Sequence, residues 1–244
     1  MTIFLTSSPT GPLDNSRIVH GVDTKNNFIQ QLHTYWKPHA RCLYITASPA
    51  DFRDSDMACT FMEDAFRQSA FPISVFDCWD NRTTDFSRER LHSYDVIILG
   101  GGHVPTQLEF FHRIGLRETI AGFDGIVIGI SAGSMDCADI VYAQPEHPGE
   151  TLDPNYNRFP VGLGLAQTNV LPHYQMVKDF RLDGKRLYED ITYGDSYGRD
   201  FIVLPDGSYI LIAQGQEQVF GEAYRLRDAV LEQICWDNQS MLLK

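Results

Sequence analysis

The chain has 244 residues, 43% hydrophobic and 12% aromatic, enough for a sizeable buried core and too apolar for a disordered chain. Twenty Lys and Arg stand against 32 Asp and Glu, a net charge of −12, which repels nucleic acid and anionic membrane surfaces. Five cysteines, Cys42, Cys59, Cys78, Cys137 and Cys235, are widely spaced with no C-x-x-C pair, which points away from a disulfide scaffold or a structural zinc site.

No basic and apolar leader opens the sequence, and no apolar run reaches the roughly 18 residues of a membrane span. The expected setting is the reducing cytoplasm. With no repeat, linker or low-complexity tract, residues 1–244 are expected to form one domain.

In chain order, the apolar runs alternate with helical patterns. Ile3 to Thr6 reads as a first strand and Asn27 to Lys37 as a helix. Arg41 to Ala47 is a buried strand, followed by helical spacing from Ser55 to Ser69 through Met57, Phe61, Met62, Ala65 and Phe66. Strands follow at Ile73 to Cys78 and Val96 to Leu99, the latter running into Gly100-Gly101-Gly102. Thr106 to Gly122 is helical with a break near Gly115, and Ile126 to Ile130 is the next strand. This alternation predicts a mostly parallel sheet covered by helices. Further on, Phe201 to Leu204 and Tyr209 to Ile212 flank Pro205-Asp206-Gly207 and read as a β-hairpin, with another strand at Gln218 to Gly221. The prediction is therefore an α/β sandwich with an antiparallel β extension near the C-terminus.

The strongest chemical signal is Gly129-Ile130-Ser131-Ala132-Gly133, between a buried strand and a helix-compatible stretch from Ala132 to Ala138. This is a G-x-S-x-G nucleophile elbow in its required setting: small neighbours permit a tight turn that lifts the serine hydroxyl clear of the sheet. A serine nucleophile needs a base. Only His147 and His173 follow Ser131; His147 lies in a Pro/Gly-rich loop and His173 at the end of a strand, where such sites gather, so His173 is favoured. The orienting acid stays open among Glu146, Glu150, Asp153, Asp136 and Asp139. The glycines before His103 let backbone approach a ligand and offer a second oxyanion donor, but complete no dinucleotide fingerprint. Lys178, Arg181, Lys185 and Arg186 form a small basic group that suits a substrate carboxylate. The His and Cys residues lack metal-ligand spacing, and the chemistry needs neither metal nor cofactor.

Taken together, Gly-Gly-Gly-His with Gln107, Gly-Ile-Ser-Ala-Gly-Ser, Asn169-Val170-Leu171-Pro172-His173-Tyr174 and Leu204-Pro205-Asp206-Gly207 resemble the peptidase S51 family, which holds aspartyl dipeptidase (peptidase E) and cyanophycinase. The resemblance implies a fold similar to class I glutamine amidotransferases, with serine in place of their cysteine. It implies Ser131 as nucleophile, His173 as base, and the amides of Gly102 and Ala132 as the oxyanion hole. Counted forward from the serine, the acid falls on Glu146, with Glu150 as the alternative. His103, Gln107 and Arg186 (or Lys185) fall on the substrate side; peptidase E-like sequences usually carry Asn where His103 stands.

The expected activity is that of a serine exopeptidase acting on short peptides with an N-terminal acidic residue, through a Ser-His-Glu/Asp triad and an acyl-enzyme. The expected partner is the peptide alone, without nucleic acid or membrane, for a monomer or homodimer. A cyanophycinase-like hydrolase is the alternative within the family, although the arginine-rich run after the histidine is not reproduced. An α/β-hydrolase esterase is disfavoured because its histidine comes late in the chain. A non-catalytic binding protein on this fold is opposed by retention of Ser131 and His173.

Overall fold

The computed structural model describes residues 1–10 and 21–243. Five strands run parallel to their neighbours: β1 (Thr2–Thr6), β2 (Ala40–Ile45), β3 (Ile73–Trp79), β4 (Val96–Leu99) and β5 (Ile126–Ile130), in the spatial order β1-β5-β4-β2-β3. Their apolar runs are nearly continuous because both faces are covered. Ile3, Leu5, Leu43, Ile45, Ile97, Leu99 and Val127 enter one core, whereas Phe4, Cys42, Tyr44, Val96, Ile98, Ile126 and Ile128 enter the other. The period-two alternation of a strand makes that division.

Helices α1 (Phe28–Tyr35) and α2 (Phe52–Gln68) close the Phe4 side through Phe28, Leu32, Met62 and Phe66. Asp51 caps α2 by accepting the Asp54 amide at 3.0 Å. Helices α3 (Arg88–His92), α4 (Val104–Arg113) and α5 (Leu116–Ile120) close the Leu5 side through Leu91, Leu108, Phe111, Leu116 and Ile120. Gly115, at φ 62°, makes the expected break between α4 and α5. Each fully buried Leu, Ile, Val or Phe contributes roughly 1.5–3 kcal/mol, so this patterning dominates the stability of the layers. The short helix α6 (Ala132–Met135) follows β5.

The later strands complete the main sheet and build a second one. They are β6 (Asn169–Leu171), β7 (Arg181–Leu182), β8 (Lys185–Arg186), β9 (Asp200–Val203), β10 (Tyr209–Ala213), β11 (Gln216–Phe220), β12 (Ala223–Arg227), β13 (Val230–Cys235) and β14 (Ser240–Leu242), with helix α7 (Tyr174–Val177) after β6. Strands β10, β11 and β14 extend the main sheet antiparallel beyond β1, which meets the expectation of an antiparallel extension. A separate sheet of order β13-β12-β9-β6 packs Val170, Phe201, Val203 and Leu226 into the Leu5-side core.

One expectation is corrected here. Phe201 to Leu204 and Tyr209 to Ile212 do not form a hairpin, because β9 and β10 belong to different sheets. Both edges of β9 are taken by β6 and β12, and β10 lies between β1 and β11. The segment through Pro205, Asp206 and Gly207 is a crossover between sheets. Among the described residues, no helix is long and apolar enough to cross a membrane.

Candidate active site

The carboxyl ends of β1, β4 and β5 converge on Ser131. Its amide donates to the Thr6 carbonyl at 3.0 Å; the Thr6 hydroxyl donates to the Gly129 carbonyl at 2.7 Å, and the Ser134 hydroxyl donates to the Thr6 carbonyl at 2.8 Å. Ser131 has φ 50° and ψ −112°, a strained conformation for a side-chain-bearing residue and the one a nucleophile elbow requires. The flanking glycines are demanded by contact. A Cβ on Gly129 would lie 2.7 Å from Ser134 Cα, and one on Gly133 would collide with the Leu99 carbonyl oxygen. The glycine loop after β4 rests against the serine: a Cβ on Gly101 would stand 3.3 Å from Ser131 Cβ. Gly102 and Ala132 thus flank the serine on the β4 and α6 sides, with Gly102 exposed and Ala132 buried.

His173 follows β6 at φ 58°, in the left-handed region. Its Nδ1 lies 2.7 Å from Asp206 Oδ1. The meeting follows from strand register: β6 and β9 pair in parallel with Leu171 opposite Val203, and the Leu204 amide donates to the Leu171 carbonyl at 2.8 Å. The two chains therefore leave their sheet side by side, one delivering His173 and the other Asp206.

Ser7, wholly buried, ties the pair down. Its hydroxyl accepts the His173 amide at 2.8 Å and donates to Asp206 Oδ1 at 2.5 Å. Burial pushes the Asp206 carboxyl up, but hydrogen bonds from His173 and Ser7 and the facing imidazole outweigh it and hold the group below its ordinary range. An ionised Asp206 accepts Nδ1–H and leaves the Nε2 lone pair as the base. Thr6 anchors Ser131 while its chain neighbour Ser7 anchors His173. Among the described residues no hydrogen bond joins the Ser131 hydroxyl to His173 directly, an arrangement common before substrate tightens a site.

The carboxylate beside His173 is thus neither Glu146 nor Glu150. Glu150 Oε1 lies 2.7 Å from His103 Nε2, and its Oε2 accepts the amides of Glu146 and His147 at 2.8 and 3.0 Å. Burial raises the Glu150 carboxyl, but those amides and His103 bring it below its ordinary value. Glu146 sits in an exposed loop, yet protein crowds its carboxyl and the Glu150 charge faces it, pushing it up to about 7. Counting from the serine misses because the loop from Gln144 to Glu150 turns back on itself toward His103. Of the other candidates, Asp139 pairs with Arg117, and Asp136 is fully buried with both oxygens unpartnered among the described residues.

The substrate-side residues divide. His103 lies beside the glycine loop, with Nδ1 2.8 Å from Thr106 Oγ1. Gln107 is wholly buried and donates to the Gly100 carbonyl at 2.8 Å, bracing that loop from beneath. Arg186 is clasped by Asp190 at 2.7 Å and Lys185 donates to the Thr151 carbonyl at 3.0 Å, so neither expected cation stands unpaired. Sequence reasoning missed Ser7 and Asp206. The Leu-Pro-Asp-Gly motif was the available signal for Asp206, but its turn-forming residues read as a hairpin tip.

The model of peptidase family S51 matches residues 18–220. The chain belongs to peptidase family S51. It is accordingly a peptidase, and two solved structures of similar fold are also described as peptidases. One is a peptidase from an acI-B1 Actinobacterium, with TM-score 0.65 and 15% identity over 99% of this chain and 96% of that one. Another, from Listeria monocytogenes EGD-e, is provisionally called a peptidase E, with TM-score 0.53 and 17% identity over 96% of this chain and 98% of the other. At these identities the likeness is one of fold. No curated protein matches the sequence.

Proposed function

We propose that this S51 peptidase is a serine exopeptidase of short peptides, with Ser131 as nucleophile, His173 as general base and Asp206 as the orienting acid. The observation that supports it best is the anchoring of both halves of the site to consecutive residues at the end of β1, Ser131 through Thr6 and the His173–Asp206 pair through Ser7 just beyond the strand. His173 Nε2 takes the Ser131 proton as Oγ attacks the scissile carbonyl. The tetrahedral oxyanion forms between the amides of Gly102 and Ala132. His173 then protonates the leaving amine, and water, deprotonated by the same imidazole, resolves the acyl-enzyme.

An acidic N-terminal residue is the preference that resemblance to peptidase E suggests. Arg186 is held by Asp190 and His103 by Glu150, and His103, directly after Gly102, is the nearer of the two in the chain to the glycine loop where that side chain would lie. The test is hydrolysis of a dipeptide panel, N-terminal Asp and Glu included, by the wild type and Ser131→Ala, together with fluorophosphonate labelling. Turnover and labelling that both vanish in Ser131→Ala support the reading. Turnover of neutral dipeptides alone removes the acidic preference, and absence of labelling at Ser131 rejects the nucleophile.

A further inference from the structure

We propose that His103, His147 and Glu150 form a zinc-class metal site at the rim of the serine site, and that its occupation blocks attack by Ser131. One ligand atom from each residue can be chosen so that all three lie within 4.8 Å of one another. Two imidazoles and a carboxylate are the donor set that borderline cations such as Zn2+ take, leaving a fourth position open. The grouping is tertiary: His147 and Glu150 share a loop, whereas His103 arrives from the far side of the sequence at the start of α4.

Two of the three donors already carry the supports that metal ligands need. His103 Nδ1 faces Thr106 Oγ1, whose hydroxyl accepts or donates, so Nδ1 can hold the ring proton and free the Nε2 lone pair. Glu150 Oε2 is fixed by two backbone amides, leaving Oε1 directed at His103 Nε2. The third donor is the exposed one: His147 stacks on His103 with centroids 4.2 Å apart and planes 10° from parallel. Parallel rings do not converge on one ion. Turning the His147 ring about its side-chain torsions brings a nitrogen toward Nε2 and Oε1, while those two, 2.7 Å apart, part to the roughly 3.3 Å spacing of a tetrahedral zinc with bonds near 2.0–2.1 Å.

The surroundings favour a dication. Glu146, one residue before His147 in the same loop, adds a further carboxylate to the surroundings of a cation. Position gives the consequence: His103 directly follows Gly102, and the glycine loop rests on Ser131. A metal on Nε2 would occupy the space where a substrate side chain meets His103. The blocking half rests on the serine-peptidase reading; the metal site does not.

The test pairs calorimetric Zn2+ titration with the rate of fluorophosphonate labelling, on the wild type, His147→Ala and Glu150→Gln. The wild type should bind one Zn2+ that both substitutions weaken at least tenfold, and Co2+ in its place should show tetrahedral absorption. Zinc should slow wild-type labelling at least tenfold, while His147→Ala labels normally with or without it. Zinc binding that survives both substitutions, for example at the adjacent thiols of Cys59 and Cys78, overturns the site. Binding as expected with unchanged labelling overturns the blocking. If Ser131 never labels, the function reading fails while the titration still decides the site.

Discussion

Asp206 Oδ1 lies 2.7 Å from His173 Nδ1, and the contact exists because two parallel strands end in register beside each other. Under the proposed assignment, the loop between two sheets, rather than the loop after Ser131, supplies the orienting carboxylate.

Asp206→Asn should therefore lower kcat by roughly 10³–10⁴-fold, because an amide in this place favours the wrong imidazole tautomer. Glu146→Gln should leave kcat within about threefold of the wild type, since Glu146 does not touch His173. Steady-state kinetics on the best dipeptide substrate checks both, and a larger loss in the Glu146 variant would restore the residue counted from the serine.

Ser7 touches His173 and Asp206, so any effect it has on the proposed reaction runs through them. Ser7→Ala removes the acceptor of the His173 amide and a donor to Asp206, each a hydrogen bond in a buried setting. Lost bonds of this kind cost about 1–3 kcal/mol, so kcat should fall about tenfold with KM nearly unchanged. Losing that donor also raises the Asp206 carboxyl, so the acid limb of the kcat profile should move. A fall in stability with an unaltered pH profile would make Ser7 merely structural.

Asp136 offers a test of the core beneath the elbow. Burial, then the Glu146 charge, raises its carboxyl well above the ordinary value. The folded protein therefore binds a proton that the unfolded chain releases once pH exceeds the ordinary carboxyl range, and stability falls as pH rises through that window. Asp136→Asn carries no such proton. It should raise Tm at pH 8, by about 2–4 °C for each kcal/mol recovered, and the difference should vanish near pH 4. A thermal melt series settles it, and a variant equally stable at every pH would show that Asp136 keeps its charge at no cost.

Much of the site was legible because it obeys local rules. The elbow glycines are dictated by contacts within a few residues of Ser131 or with the neighbouring strand, and a buried strand followed by Gly-x-Ser-x-Gly announces them. His173 was legible for a similar reason, a strand end after Pro172. The Glu146 expectation failed because a count along the chain assumes a path for the loop, and Glu150 instead turns that loop toward His103. The partner of Arg186 was not legible either: Asp190, four residues on, takes its guanidinium.

The division has one physical origin. Strand alternation, helix periodicity and the small residues of a tight turn are properties of neighbours in sequence, so the layered sheet and the places of Ser131 in a tight turn and His173 at a strand end follow from the chain read alone. Which sheet a strand joins depends on which edges are open when the core closes, and β9 and β10 found theirs in different places. Only that choice puts Asp206 on His173, Ser7 beneath both, and His103 against Glu150.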